Sequence, residues 1–251
     1  MTLTLTPLAR IPMIQVGDDL AKIILQGLET TEITLQGNDI LVLAQKIVSK
    51  TEGRQVDLAD ITPSPEALDL AAEVEKDPRL VELILRESKE VVRKRPGLIV
   101  VEHNNGFISA NAGIDHSNVD GSDGLVLLLP VDPDASAQKL RTEIEAAAGV
   151  KIGVLIIDSH GRPWRMGTVG VTIGTANVPG LVDKHGEVDL FGSELHATLI
   201  GAADELAAAA SLVMGQAAEG QPVVHVRGFP YPLRKAELSE ILRPKEIDMF
   251  R

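Results

Sequence analysis

The sequence predicts a mixed α/β fold of the α+β kind, and three observations lead there. Apolar runs of strand length recur at Ile40-Leu-Val-Leu-Ala44, Leu125-Val-Leu-Leu-Leu129 and Val150-Lys-Ile-Gly-Val-Leu-Ile-Ile157. Runs of this kind suit strands buried on both faces. Between them lie stretches whose apolar residues keep a helical period, such as Ala67, Leu68, Leu70, Ala71 and Val74. Strands and helices do not alternate strictly, so a doubly wound nucleotide fold is not required.

Taken in order, Leu3 to Ile11 reads as a strand, and Asp18-Asp19 caps a helix running to about Leu28. Gly37-Asn38-Asp39 is a turn into the strand Ile40 to Ala44. Residues 63 to 95 read as helical, with Pro65 in a first turn, a second helix after Asp77-Pro78, and an end in the basic run Arg93-Lys-Arg95 before Pro96-Gly97. Strands follow at Leu98 to Glu102 and Gly106 to Ala110, then at Leu125 to Leu129. Asp132-Pro133 opens a helix from Ala137 to Ala148. After the Val150 strand come a glycine-rich stretch (Gly167 to Gly180) and a turn-rich one (Asp183 to Gly192). An alanine-rich helix is expected from about Ser193 to Met214, a last strand at Pro222 to Gly228, and a charged, loosely packed tail from Arg234 to Arg251.

Composition narrows the function. A chain of 251 residues with 44% hydrophobic residues buries a sizeable core, and aromatics at 2% make that core aliphatic. The formal charge of -12 argues against a nucleic-acid partner. Anionic small substrates stay open, because a few arginines and a metal can dominate one cleft. Without cysteine there are no disulfides, no thiolate chemistry and no Cys-based metal site. The N-terminus lacks a signal-peptide layout and the apolar runs are too short for a membrane span, so a cytoplasmic protein is expected.

Two segments carry the chemistry. Gly113-Ile114-Asp115 with Ser117 and Asn118 gathers a carboxylate, a hydroxyl and an amide, hard donors suited to magnesium or manganese. An Asx-type turn would use Asp115 equally well. Asp158-Ser159 ends a strong apolar strand, at the edge where α/β sheets bind ligands, although a turn or N-cap aspartate has the same look. Arg162 and Arg165 beside it suit phosphate or carboxylate, with surface salt bridges as the plain alternative. Gln45, Lys46, Ser49 and Lys50 follow a buried strand, where they fit either an anion site or a solvated helix start. No Walker signature, zinc-type histidine spacing or Ser-His-Asp arrangement is present, and most of the histidines read as ordinary polar positions.

Six ordered motifs give these residues a relative. Gly17-Asp-Asp-Leu20, Ile47-Val-Ser-Lys-Thr-Glu-Gly-Arg54, Asn111-Ala-Gly-Ile-Asp-His-Ser-Asn118, Leu129-Pro-Val-Asp-Pro-Asp134, Asp158-Ser-His-Gly-Arg-Pro-Trp-Arg165 and Ala203-Asp-Glu205 resemble the coenzyme F420-0:L-glutamate ligase (gamma-glutamyl ligase) family. The likeness runs from about Leu5 to Arg227.

The resemblance implies a GTP-dependent ligase that adds L-glutamate to F420-0, giving F420-1 and F420-2. It implies Mg2+ or Mn2+, stimulation by K+, and an intertwined homodimer of an unusual F420 ligase-type fold. It further implies one ligase domain over residues 1–251, with room for two structural lobes and without the C-terminal reductase-like extension of some bacterial members. By motif, Asp115, Asp158 and Ser159 match metal ligands. Arg10, Ile11, Pro12, Met13, Gln45, Lys46, Lys50 and Asn118 match GTP contacts, as does the loop Met214, Gly215, Gln216, Ala217, Ala218, Glu219, Gly220 and Gln221. Asp115, Asp158, Arg162 and Arg165 are the catalytic candidates. Gln45-Lys46 departs from the small hydroxyl residues of archaeal relatives, and Ala217-Ala218 makes the last loop less glycine-rich. A metal-dependent phosphohydrolase or a non-catalytic nucleotide- or deazaflavin-binding protein is the alternative that the residues alone leave standing.

Overall fold

The computed structural model describes residues 2–116 and 124–250. Its strands are β1 (Thr4–Pro7), β2 (Ile40–Ala44), β3 (Gln55–Asp57), β4 (Ser88–Arg95), β5 (Leu98–His103), β6 (Ile108–Ala110), β7 (Leu125–Leu127), β8 (Gly153–Arg162), β9 (Arg165–Ala176), β10 (Val182–Asp183), β11 (Leu199–Ile200) and β12 (Val223–Arg227). Its α-helices are α1 (Leu20–Thr30), α2 (Gln45–Thr51), α3 (Pro65–Val74), α4 (Pro78–Arg86), α5 (Pro133–Ala148) and α6 (Ala202–Met214). The fold class is mixed α/β, as the patterning predicts.

A five-stranded sheet in the order β1-β12-β2-β8-β9 forms the centre. Only the β2–β8 pair is parallel; its neighbours are antiparallel. Period-two alternation sends successive residues to opposite faces. Leu41, Leu43, Val154 and Ile156 meet α1 and α5, packing with Ile24 and Ile144. Ile40, Val42, Leu155 and Ile157 meet α6 through Ala203, Leu206, Ala207 and Ala210. The sheet is thus covered on both sides, which explains why β2 and β8 read as unbroken apolar runs. A separate core joins α3 and α4 to β5 and β7 through Leu70, Val74, Val81, Ile84, Ile99, Val101 and Val126.

Helix starts follow their caps. Asp19 Oδ1 accepts from Lys22 N–H, Ser64 Oγ from Ala67 N–H, Asp77 Oδ1 from Arg79 N–H and Asp132 Oδ1 from Ala135 N–H. Proline follows the cap directly in α3, α4 and α5, where its missing N–H costs nothing.

Several expected elements differ. The helical reading of residues 63 to 95 holds only to Arg86, for β4 follows and pairs with β5 across the Pro96-Gly97 turn. Val91 and Val92 favour a strand there, and Gly97, at φ 79°, closes the hairpin. The first strand stops at Pro7, and Arg10 takes a left-handed φ of 56°. The alanine-rich helix starts at Ala202 rather than Ser193, because the preceding residues fold back in hydrogen bonds such as Lys184 N–H to Thr198 and Leu195 N–H to Glu187. The tail is docked: Leu238 is buried, its N–H is held by Asp134 Oδ2, and Arg234 bridges to Glu240.

The largest difference touches the site. β8 does not end before Asp158 but runs on to Arg162, and the glycine-rich stretch returns beside it as β9. Gly170 and Gly174 of β9 serve close packing. A Cβ on Gly170 would come within 2.5 Å of the Ala207 carbonyl oxygen on α6.

Candidate functional site

Register brings the first pair of site residues together. Ala44 and Ile157 are partners in the parallel β2–β8 pair, so Gln45 and Asp158 follow at the same sheet edge. A pocket of about 400 Å³ opens there, a size within the usual small-ligand range. Four segments remote in sequence wall it: Ile11 to Ile14, Ala44 to Lys50, Ile157 to Ser159, and Ser211 to Pro222.

Most residues proposed from sequence meet in this pocket. Ile11, Pro12, Met13, Gln45, Lys46, Lys50, Asp158 and Ser159 line it, and so does the whole loop from Met214 to Gln221. Arg10 precedes the lining, with a left-handed φ of 56°. Asp115 stands behind the wall. Its Oδ2 lies 3.2 Å from Lys46 Nζ and 3.3 Å from Gln45 Nε2. Arg162 and Arg165 do not line the pocket. They sit at the exposed end of the β8–β9 hairpin, where Arg162 Nη2 donates to the Met166 carbonyl. Asn118 lies outside the described residues.

Local bonds hold the wall. Ser159 Oγ donates to Gln216 Oε1 at 2.9 Å, tying β8 to the loop after α6. Glu219 Oε2 accepts the Ala217 N–H at 2.8 Å. This bond holds the Glu219 carboxyl below the ordinary carboxylate range, so the loop presents an anion. Asp204, from the Ala203-Asp-Glu205 motif, accepts the Thr172 N–H of β9 and fastens α6 to the sheet beside the irregular β8–β9 register.

His160 has a place that the sequence reading missed by treating the histidines as ordinary polar positions. Its Nε2 lies 3.1 Å from Asp158 Oδ2. Phe107 packs on His160 with ring centres 5.4 Å apart, and His103 stacks on the other side of Phe107 at 4.9 Å. Burial, aided by the Arg54 charge, pushes His103 down to about 4. The i, i+2 spacing of Asp158 and His160 is the signal that finds the first pair once the strand is carried through the motif. Ser211 was also missed, because a serine inside an alanine-rich helix carries no pattern.

Among the described residues no group of three or more His, Cys, Asp or Glu side chains converges as a complete cation cage. Asp158 and Ser159 line the pocket, and Asp115 meets it through Lys46 and Gln45. Hard oxygen donors that few in number fit a cation completing its shell on substrate phosphates.

Comparison with known proteins agrees with the motifs. A family described as F420-0:Gamma-glutamyl ligase matches residues 9–228. The coenzyme F420:L-glutamate ligase of Methanothermobacter thermautotrophicus is 47% identical over 100% of both chains. That of Methanopyrus kandleri is 44% identical over 100% of this chain and 98% of its own. The Methanocaldococcus jannaschii protein of the same name is 45% identical over 86% of each chain. With matched residues reaching from the first pocket wall at Ile11 to the last at Pro222, the chain belongs to the F420-0:gamma-glutamyl ligase family.

Proposed function

We propose that this protein is a GTP-dependent coenzyme F420-0:L-glutamate ligase that forms F420-1 and extends it to F420-2. The observation that carries the reading is the pocket itself. In a chain of this family, Lys46, Lys50, Asp158 and Ser159 line one pocket of about 400 Å³. Cations and hard oxygen donors in one pocket suit a triphosphate.

A carboxylate is a poor acyl donor, so the F420-0 carboxylate needs activation. Its oxygen attacks the γ-phosphorus of GTP, the bond to the β-phosphate oxygen breaks, and GDP leaves an acyl phosphate behind. The glutamate nitrogen then attacks the acyl carbon, phosphate departs, and the ammonium proton passes to water. In this scheme Lys46 and Lys50 hold phosphate oxygens and raise the local cation density of an acidic protein. Asp115, Asp158 and Ser159 would hold Mg2+ or Mn2+, which would supply positive charge beside the transferring phosphoryl group. The loop from Met214 to Gln221 closes over the nucleotide. Arg162 and Arg165 reach a substrate only from the hairpin end, and K+ acts as a stimulant at a site that no residue here marks.

A homodimer belongs to the same proposal. Trp164, Met166, Leu190, Phe191 and Leu212 are nearly fully exposed, side chains that a second copy of the chain would cover. Among the described residues, no helix is long and apolar enough to cross a membrane.

Mass spectrometry of F420-0 incubated with protein, L-glutamate, GTP and Mn2+ tests the reading. A gain of one or two glutamyl units that needs every component supports it. GDP formation without glutamate and without that gain points to a phosphohydrolase, and binding without turnover to a carrier role. Asp158→Asn abolishes turnover in a folded protein; undiminished turnover would remove Asp158 from the ligand set.

A further inference from the structure

The pocket explains only the first part of the motif from Asp158 to Arg165. Asp158 and Ser159 line it and His160 packs on Phe107, but every residue from Gly161 to Thr168 is exposed, carried out into solvent by the β8–β9 hairpin. At the tip stands Trp164, the one tryptophan of the chain, 88% exposed and at a left-handed φ of 62°. A bulky residue takes that conformation at a cost, and burial does not offset it here. Met166 beside it is 95% exposed.

The C-terminal segment braces this tip. Phe250 meets Trp164 with ring centres 6.2 Å apart at a tilt of 54°, and the Arg243 guanidinium lies 5.5 Å from the Phe250 ring centre. Lys245 Nζ pairs with Glu90 of β4 at 2.7 Å. The indole is thus held on one side while most of its surface faces solvent. Charge stands next to it. Among the described residues neither Arg162 nor Arg165 has a carboxylate partner, in a chain of net charge -12. Period-two alternation puts Arg162 on the face of β8 that carries Asp158, about 13 Å further along the strand.

That spacing matches the acceptor. F420-0 joins a flat deazaflavin ring to its reacting carboxylate through a ribityl chain and a phosphodiester, about ten bonds that span about 12 Å when extended. With the carboxylate beside Asp158, the ring falls at the hairpin tip and the phosphodiester lies between, within reach of a guanidinium. We propose that Trp164 is the stacking platform for the deazaflavin ring of F420-0 and that Arg162 and Arg165 hold its phosphodiester. This inference rests on the ligase reading above. The hairpin then selects the acceptor, because a carboxylate without a flat ring at this distance leaves the platform empty. Trp164 also counts among the side chains that a second copy would cover, and the test separates the two roles.

The test is binding of F420-0, read by equilibrium dialysis through the absorbance of its ring, with steady-state kinetics alongside. The proteins are wild type, Trp164→Ala, Trp164→Phe and the double variant Arg162→Gln, Arg165→Gln. All three positions are exposed, so the substitutions leave the core untouched. Loss of one stacked face should weaken F420-0 binding about 5- to 100-fold in Trp164→Ala, with most of it regained in Trp164→Phe. The KM for F420-0 should rise by the same factor in Trp164→Ala while the KM for GTP is unchanged. The ring-and-ribityl half of the molecule, which lacks phosphate and lactate, should bind more weakly to Trp164→Ala and equally well to the arginine variant. Loss of that half by the arginine variant too would overturn the phosphodiester assignment. Wild-type affinity of Trp164→Ala for F420-0 overturns the inference and leaves the ligase reading intact. So does a Trp164→Ala protein that sediments as a monomer where wild type is a dimer and loses GTP along with F420-0, since that marks an interface role. Wild type that neither binds F420-0 nor extends it with glutamate overturns both.

Discussion

Lys46 stands where it competes for Asp115. Its ammonium lies 3.2 Å from Asp115 Oδ2, with the two side chains 26% and 29% exposed. At an effective dielectric of about 20, charges at that separation attract by about 5 kcal/mol. Solvent at the partly open pair leaves about 1–2 kcal/mol of that. A cation arriving without nucleotide must displace this contact, so Lys46→Met, which keeps the length of the side chain, should tighten Mn2+ binding to the nucleotide-free protein about tenfold. With GTP present the sign reverses, because the lysine is then free to serve the phosphates, and the KM for GTP should rise. Titration of free Mn2+ by electron paramagnetic resonance, with and without GDP, reads both arms. Nucleotide-free affinity that is unchanged or weaker in Lys46→Met would refute the competition argument.

Three further outcomes follow from the rest of the fold. Hydrogen bonds from Ser64, through its hydroxyl and its N–H, and from Arg86 hold Glu82 down at about 2 from an ordinary 4.5. Its pKa is depressed, so the stability it contributes is complete above about pH 4.5 and is lost as pH falls toward 2. With its partner Arg86 half exposed to solvent, this amounts to about 1–2 kcal/mol, and Glu82→Gln should flatten that limb of a stability-against-pH curve measured by urea unfolding. Arg227 gives Asp39, which is 2% exposed, two hydrogen bonds at 2.9 and 2.7 Å. Arg227→Met should cost about 3–5 kcal/mol in chemical denaturation. Asp39 precedes β2 at the end opposite the pocket, so kinetic constants of the folded variant should stay at wild-type values. Gly170→Ala would drive a methyl into the Ala207 carbonyl oxygen, and about 1–3 kcal/mol of stability should be lost by calorimetry as α6 is pushed off the sheet.

What could be read from the residues divides along physical lines. Buried runs such as Ile40 to Ala44 and caps such as Asp19 and Asp132 are local signals, and they located β2, α1 and α5 closely. The misreadings came where distant partners decide. Ser88 to Arg95 has mixed polarity and becomes a strand because Leu98 to His103 pairs with it. The glycines after Gly167 look like a loop until α6 and α5 are laid against them, when small residues become the condition for a packed strand. The candidate site followed the same rule. Motif likeness named most of the lining residues, but the pairing of Asp158 with His160 and the bonds made by Gln45 and Gln216 depend on register and helix placement. No spacing in the sequence carries those.

The sheet also orders events during synthesis. Thr4 and Arg227, partners in the β1–β12 pair, stand 223 positions apart, and the pocket takes walls from both Met13 and Pro222. Closing so long a loop must await nearly the whole chain, whereas the core between Leu58 and Leu128 is drawn from contiguous residues and can condense as it leaves the ribosome. The binding cleft therefore comes into being only when β12 slots between β1 and β2. A stalled or prematurely released polypeptide can own the folded Leu58–Leu128 core and still lack the pocket that only the completed sheet assembles.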